Sequence, residues 1–259
     1  MPHFQLQKYI EFIWYRAVAE ILSDVSKGFL GFLWWIVEPL FYMAVFYIIF
    51  GLVFKQNSEN YVSFLLCGLV VWKWFDSSIR NSSMSIQHSM GLIKQVYLPK
   101  VVFPLVSITN SSLRFFMVFA LFLAFLLLQG TKPNINWLVE LPLLLLLQIF
   151  LMTGIGMTFA ALVPFVPDLK FLIDNGMLLL FFLSGIFFRF ENIPDFLKPY
   201  FKINPIGMLI SGYRQVLLTD NGLDWKNLAS VFVITLFFLI VGGYLLHKYD
   251  RLYAKRAFL

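Results

Sequence analysis

Long apolar runs separated by short polar segments organise this chain. Six stretches read as helices able to cross a bilayer: residues 29–54, 61–79, 101–129, 137–163, 171–188 and 228–247. The first is interrupted by Glu38 and Pro39. The second carries Lys73 and Asp76, the third Arg114, the fourth Glu140 and the fifth Asp174, and the sixth has no formal charge. A bilayer core about 30 Å thick needs roughly 20 residues rising 1.5 Å each. Backbone groups in lipid must find partners within their own segment, so runs of this length are predicted to be helices. Upstream, residues 8–22 repeat at helical period. Ile10, Ile13, Trp14, Ala17 and Ile21 fall on one face, and Lys8, Glu11, Tyr15 and Glu20 fall toward the other. Such a helix just before a span is predicted to lie in the inner membrane interface; the plainer alternative is a helix packed on the rest of the protein.

The links differ in kind. Residues 55–60, 130–136 and 164–170 are short, 80–100 is longer and rich in Ser and Asn, and 189–226 is long and half apolar. No internal repeat or low-complexity segment stands out. The first 26 residues lack a compact apolar run followed by a small-residue cleavage site, so the chain is expected to keep them.

Composition sharpens this picture. Of 259 residues, 60% are hydrophobic and 13% are charged, against about 45–50% and about 25% in an average soluble domain. That argues against a disordered chain, a nucleic-acid-binding domain and a water-soluble enzyme. Six spans with their links leave no room for a separate ATPase or catalytic domain. The net charge of +6 sits between apolar runs, where it sets orientation rather than binding nucleic acid. With the N-terminus inside, eleven Lys and Arg fall on inner segments and seven on outer ones, and the cluster at 248–256 follows the last span directly. Both termini are therefore expected in the cytoplasm. The single cysteine, Cys67, has no partner for an intrachain disulfide or a metal cluster and reads as a small core residue.

No enzyme constellation emerges. His3, His88 and His247 lie far apart, and no P-loop is present. Gly154-Ile155-Gly156 is too short for a dinucleotide fingerprint and fits close helix packing better. Each charge within a span costs at least ~2.5 kcal/mol at the bilayer centre. Lys73 and Asp76 are spaced to pair locally, and Arg114 follows the polar face Ser107, Asn110, Ser111. A proton relay would use such groups, but structural pairing or snorkelling is the plainer account. Aromatic residues make up 19%, with 31 Phe. Their faces can stack on the apolar faces of sugar rings, although lipid-facing bulk explains most of them. Tyr42, Phe46, Phe181 and Phe188 are the candidates for lining a path.

Three passages are specific. They are SKGFLGFLWWIVEPL at 26–40, LIKQVYLPKVVFP at 92–104, and the series Glu191-Asn192-Ile193-Pro194, Asn204-Pro205-Ile206 and Tyr213-Arg214. In wording, order and spacing they resemble the ABC-2 type permease family, in particular the membrane subunits that export O-antigen, capsular polysaccharide or teichoic acid. The resemblance covers essentially the whole chain. Glu38 is a departure, since many relatives carry a neutral residue before the proline.

The resemblance implies an all-α polytopic membrane protein in a bacterial inner membrane. Its single domain would comprise an interfacial helix (1–28), five spans (29–188), an outer gate region with short helices (189–226), a sixth span (228–247) and a cytoplasmic tail (248–259). It implies a homodimer working with two copies of a separate ABC ATPase, which binds the ATP and Mg, so this chain itself needs no cofactor. Leu92, Ile93, Lys94, Val96, Tyr97, Leu98, Pro99 and Lys100 would couple to that ATPase. Ile193, Pro194, Asn204, Pro205, Tyr213 and Arg214 would belong to the outer gate, which dips into the membrane as short helices; an ordinary surface loop is the alternative. The implied substrate is a lipid-linked polysaccharide such as O-antigen, with capsule, teichoic acid, drugs or lipids as alternatives. A membrane-embedded enzyme would need clustered carboxylates or a metal site, and an ion-coupled transporter would work without an ATPase.

Overall fold

A computed structural model describes residues 2–27, then 33, 37, 40, 41, 44, 45, 48 and 49, then 61–189, 193, 194, 196, 203–219 and 222–257. All regular structure among these residues is helical: α1 (Pro2–Lys27), α2 (Tyr61–His88), α3 (Met90–Gln95), α4 (Val102–Leu128), α5 (Ile135–Leu162), α6 (Leu169–Leu183), α7 (Pro205–Leu218) and α8 (Trp225–Ala257). Four segments are long and apolar enough to cross a membrane: Tyr61–Gln95, Val102–Leu128, Trp137–Leu162 and Trp225–Asp250. They match the predicted second, third, fourth and sixth spans. Most of the predicted first span, with Glu38, Tyr42 and Phe46, lies outside the described residues.

Several boundaries move for identifiable reasons. The Ser- and Asn-rich stretch after Ile79 continues α2 to His88 instead of leaving it. Ser82, Ser83 and Ser85 donate to the carbonyls of Ile79, Arg80 and Ser82 within the helix, so their hydroxyls need no water. α8 runs 33 residues without proline, so the basic tail continues the last helix rather than leaving it. α6, in the predicted fifth span, has only 15 residues, about 22 Å at 1.5 Å per residue. It stops at Ser184, and Gly185 turns the chain with φ 69°, a conformation open to glycine at little cost.

α2 is the central element and packs against α4, α5, α6 and α7. Its Trp74 ring stacks on Phe115 of α4 at 3.9 Å between centroids, and the indole N–H donates to Ser112 Oγ at 3.1 Å. α5 and α8 form the tightest pair. A Cβ on Gly242 would stand 2.9 Å from the carbonyl oxygen of Gly154, and one on Gly154 would stand 2.7 Å from the backbone nitrogen of Leu239. These glycines let two backbones touch, in line with the packing expected around 154–156.

α1 lies against α4 and is longer than the predicted 8–22. Ala17 packs on Val102 and Val106 with Tyr9, Phe12 and Ile13 beside it, while Ile10, Trp14 and Tyr15 are exposed. A polar seam reinforces this contact. Arg114 Nη2 donates to Asp24 at 2.6 Å, and Asn110 Nδ2 donates to Glu20 at 3.2 Å. The polar face on α4 is thus an attachment for α1. Asp76 and Asp174 share one structural partner. Arg80 bonds Asp76 at 2.7 Å and pairs with Asp174, pinning α6 to α2.

Candidate functional site

Two regions gather the residues the sequence singles out. They lie at opposite ends of the bundle, because α2 begins beside one and ends at the other.

The first is the junction between α2 and α4. After His88 the chain makes the six-residue α3. Val96 is then extended, and its N–H closes back on Leu92 O. Further on, Val102 N donates to Pro99 O at 3.1 Å. This alternation splits the predicted coupling residues into two sets. Ile93 and Lys100 are buried, and Leu92, Leu98 and Pro99 are half-buried. Lys94 is exposed, as are Val96 and Tyr97, at 52% and 74%. Ile93 sits in an apolar cluster with Ile86, Phe103, Met157, Ala160, Ala161, Leu246 and Tyr253. α3 is therefore seated on α5 and α8 as well as on the helices it joins. The Tyr253 hydroxyl completes the seat by donating to Ala161 O at 2.9 Å. Burial, with Asp250 and Tyr249 adding to it, pushes that phenol upward, so it stays a donor.

Lys100 is 2% exposed. Its Nζ donates to Leu98 O at 2.9 Å, lies 3.8 Å from Asp250 Oδ1 and stands 4.9 Å from the Tyr97 ring centre. The Tyr97 hydroxyl donates to Asp250 Oδ2 at 2.9 Å. Burial pushes the Lys100 ammonium below the ordinary lysine range, and Asp250 opposes that shift. Asp250 was not singled out from sequence. The one available signal was an acidic residue inside the basic run 248–256.

The second region is the turn after α6 together with α7. Asn204 caps α7, its Oδ1 accepting from the N–H groups of Ile206 and Gly207 with Pro205 at the first helical position. Its Nδ2 reaches back to Leu183 O and to Ser184 Oγ, at 3.3 and 2.9 Å. Arg214, one end of α7 away, holds the same turn. Nη1 donates to Gly185 O at 2.6 Å, Nη2 to Ile186 O at 2.8 Å, and Nε and Nη2 both reach Phe64 O on α2. The guanidinium carbon lies 3.4 Å from the Phe64 ring centre. Tyr213 is fully buried against Phe119, Ile193 is buried, and Pro194 is exposed.

Of the path candidates, Phe181 packs on Trp72 of α2 and on Phe182 and Phe187, with ring centres 5.7, 5.2 and 5.1 Å apart. Phe188 is half-buried in the turn. Tyr42 and Phe46 lie outside the described residues. α6 buries only Ile173 and Met177, and its face bearing Phe171, Leu172, Leu178, Leu179 and Phe182 is exposed among the described residues. Among the described residues no group of His, Cys, Asp and Glu is placed to hold a metal ion.

A family model described as ABC-2 type transporter matches residues 12–218. The chain is 32% identical, over 213 residues, to an O-antigen export system permease protein RfbA of Klebsiella pneumoniae, covering 82% of each. It is 26% identical to a protein of the same description from Myxococcus xanthus, over 85% of each. It is 25% identical to the polysialic acid transport protein KpsM of Escherichia coli, over 90% of this chain and 92% of that one.

Proposed function

The chain belongs to the ABC-2 type transporter family, and we propose that it is the membrane subunit of an ATP-driven polysaccharide exporter. Its substrate is a lipid-linked glycan of the O-antigen kind, moved from the cytoplasm across a bacterial inner membrane. The observation that carries this reading is the extent of the likeness. It runs nearly end to end in relatives named for O-antigen export and for polysialic acid transport.

We propose a mechanism with which the geometry is consistent. Two copies of the chain form a conduit, and two copies of a separate ATPase bind and hydrolyse ATP. Each ATPase receives the exposed side of the α3 junction, Lys94, Val96 and Tyr97, as a short helix-and-strand plug in a groove. Closure of the ATPases on ATP favours one arrangement of the bundle over another through contacts that differ between the two. Both termini and α3 lie in the cytoplasm, and α1 lies in the inner interface. The exposed face of α6, with the predicted first span, faces the partner copy and the glycan path. There Tyr42, Phe46, Phe181 and Phe188 offer flat apolar faces on which sugar rings slide. The turn after α6 and the buried α7 form the outer gate, their backbone satisfied by Asn204 and Arg214 as irregular chain at membrane depth requires.

Cells lacking this chain test the reading. Lipid-linked glycan is expected to be made and to accumulate in the cytoplasm, with surface polysaccharide lost. Normal surface polysaccharide without accumulation, in a strain with no second exporter, would sink it.

A further inference from the structure

We propose that Asp250 is a positioning residue for energy coupling: its clasp with Tyr97 and Lys100 hands movement arriving at α3 to the α5–α8 pair. This rests on the reading above that α3 receives the ATPase. Covalently, α3 continues into α2 and α4 alone. If those joints were the whole linkage, an applied push would move the second and third predicted spans and leave α8 behind.

The packing says otherwise. Tyr97 and Lys100 meet a carboxylate about 150 residues away in the chain, through a 2.9 Å hydrogen bond and a 3.8 Å ion pair. Exposed ion pairs of this kind contribute little. This one is different in setting, because Lys100 is almost fully buried and no carboxylate other than that of Asp250 is paired with it among the described residues. Removing one partner of a buried pair strands the other charge, so the chain at 97–100 and the end of α8 move as a unit.

From there the load has a stiff route. Leu246 and Tyr253 of α8 enclose Ile93 of α3 together with Met157, Ala160 and Ala161 of α5. Further along, the backbones of α5 and α8 touch at Gly154 and Gly242, and Thr158 donates to both Gly154 O and Phe238 O. Contact this close leaves no slack for sliding. α8 spans about 50 Å at 1.5 Å per residue and packs on α7 at its far end, where Leu228 and Val231 join the core that holds Ile206, Leu209 and Tyr213. The clasp thus starts an uninterrupted line from the ATPase-facing junction to the helix that carries Arg214.

The test uses the complete complex of this chain with its ATPase in proteoliposomes, reading polysaccharide moved per ATP hydrolysed. Asp250→Asn keeps the shape and removes the charge. It is expected to lower the melting temperature, because the buried Lys100 charge loses its partner, yet to leave the complex assembled at the assay temperature, while export per ATP falls about fivefold or more, the lower range of typical coupling factors. Asp250→Glu is expected to restore most of the ratio. Tyr97→Phe added to Asp250→Asn is expected to cost no more than the larger single effect, because both break one clasp. An unchanged ratio in an assembled Asp250→Asn complex would overturn the proposal. So would a loss that Asp250→Glu fails to restore. A Val96→Asp control separates the two levels of inference. If it leaves the ATPase bound, the docking reading itself fails; if it releases the ATPase while Asp250→Asn stays fully coupled, only the clasp fails.

Discussion

The Nη2 atom of Arg214 lies 2.6 Å from the point where a side chain on Gly68 would begin. The glycine on α2 is therefore the slot that admits the guanidinium to three carbonyls, those of Phe64, Gly185 and Ile186. Gly68→Ala is expected to expel the fork and leave a buried charge and a turn without partners, costing roughly 3–5 kcal/mol. Arg214→Lys is expected to fail similarly, because a single ammonium cannot reproduce a planar fork. Thermal melting of the purified protein in detergent checks both, and wild-type melting of either would show that the turn is held by something else.

The α5–α8 crossing makes a prediction with its own control. Gly242→Ala drives a Cβ into the Gly154 carbonyl, where no rotamer change relieves it, and is expected to destabilise by about 1–3 kcal/mol. The adjacent Gly243 has open space around its Cβ position. Gly243→Ala is expected to be neutral or to stabilise by up to about 1 kcal/mol through helix propensity. Equal melting shifts for the two would contradict the close contact.

At the α3 junction the exposed and buried residues should behave differently. Val96→Asp is expected to weaken co-purification of the ATPase at least about tenfold, a loss near 1.4 kcal/mol, with no change in melting. Ile93→Asp buries a carboxylate among Ile86, Leu246 and Tyr253 and is expected to prevent accumulation of the protein altogether. Blotting of membrane fractions separates the two outcomes.

Tyr213 offers a way to distinguish packing from chemistry. Its ring is fully buried, and its hydroxyl has no hydrogen-bond partner among the described residues. Tyr213→Phe is expected to leave export unchanged and to hold or raise stability by about 1 kcal/mol, since an unsatisfied buried polar group is removed. A sharp loss of export would assign the hydroxyl a role in the gate.

Local chemistry was legible in the sequence and distant chemistry was not. Asn204 and Pro205 enter the sequence reading only as part of a family resemblance, although cap and first-turn preferences act over three residues, and the structure makes them the cap and first residue of α7. The apolar runs at 101–129 and 137–163 become α4 and α5 within two residues, because a bilayer-length run has few alternatives. The serines after Ile79 misled, since a hydroxyl that bonds its own helix looks in sequence like one that needs water. Asp250 and Gly68 were invisible for a different reason. Their importance lies in partners about 150 residues away, and neither periodicity nor composition carries a distance of that kind.

The central claim is tested most directly by reconstituting this chain with its ATPase in vesicles and following lipid-linked polysaccharide across the bilayer. The account predicts glycan appearing on the side opposite the ATPase when ATP is supplied, and none when the ATPase cannot hydrolyse it. Transport driven by an ion gradient without the ATPase would contradict the account. So would ATP-driven movement of drugs or free lipid with the glycan left in place.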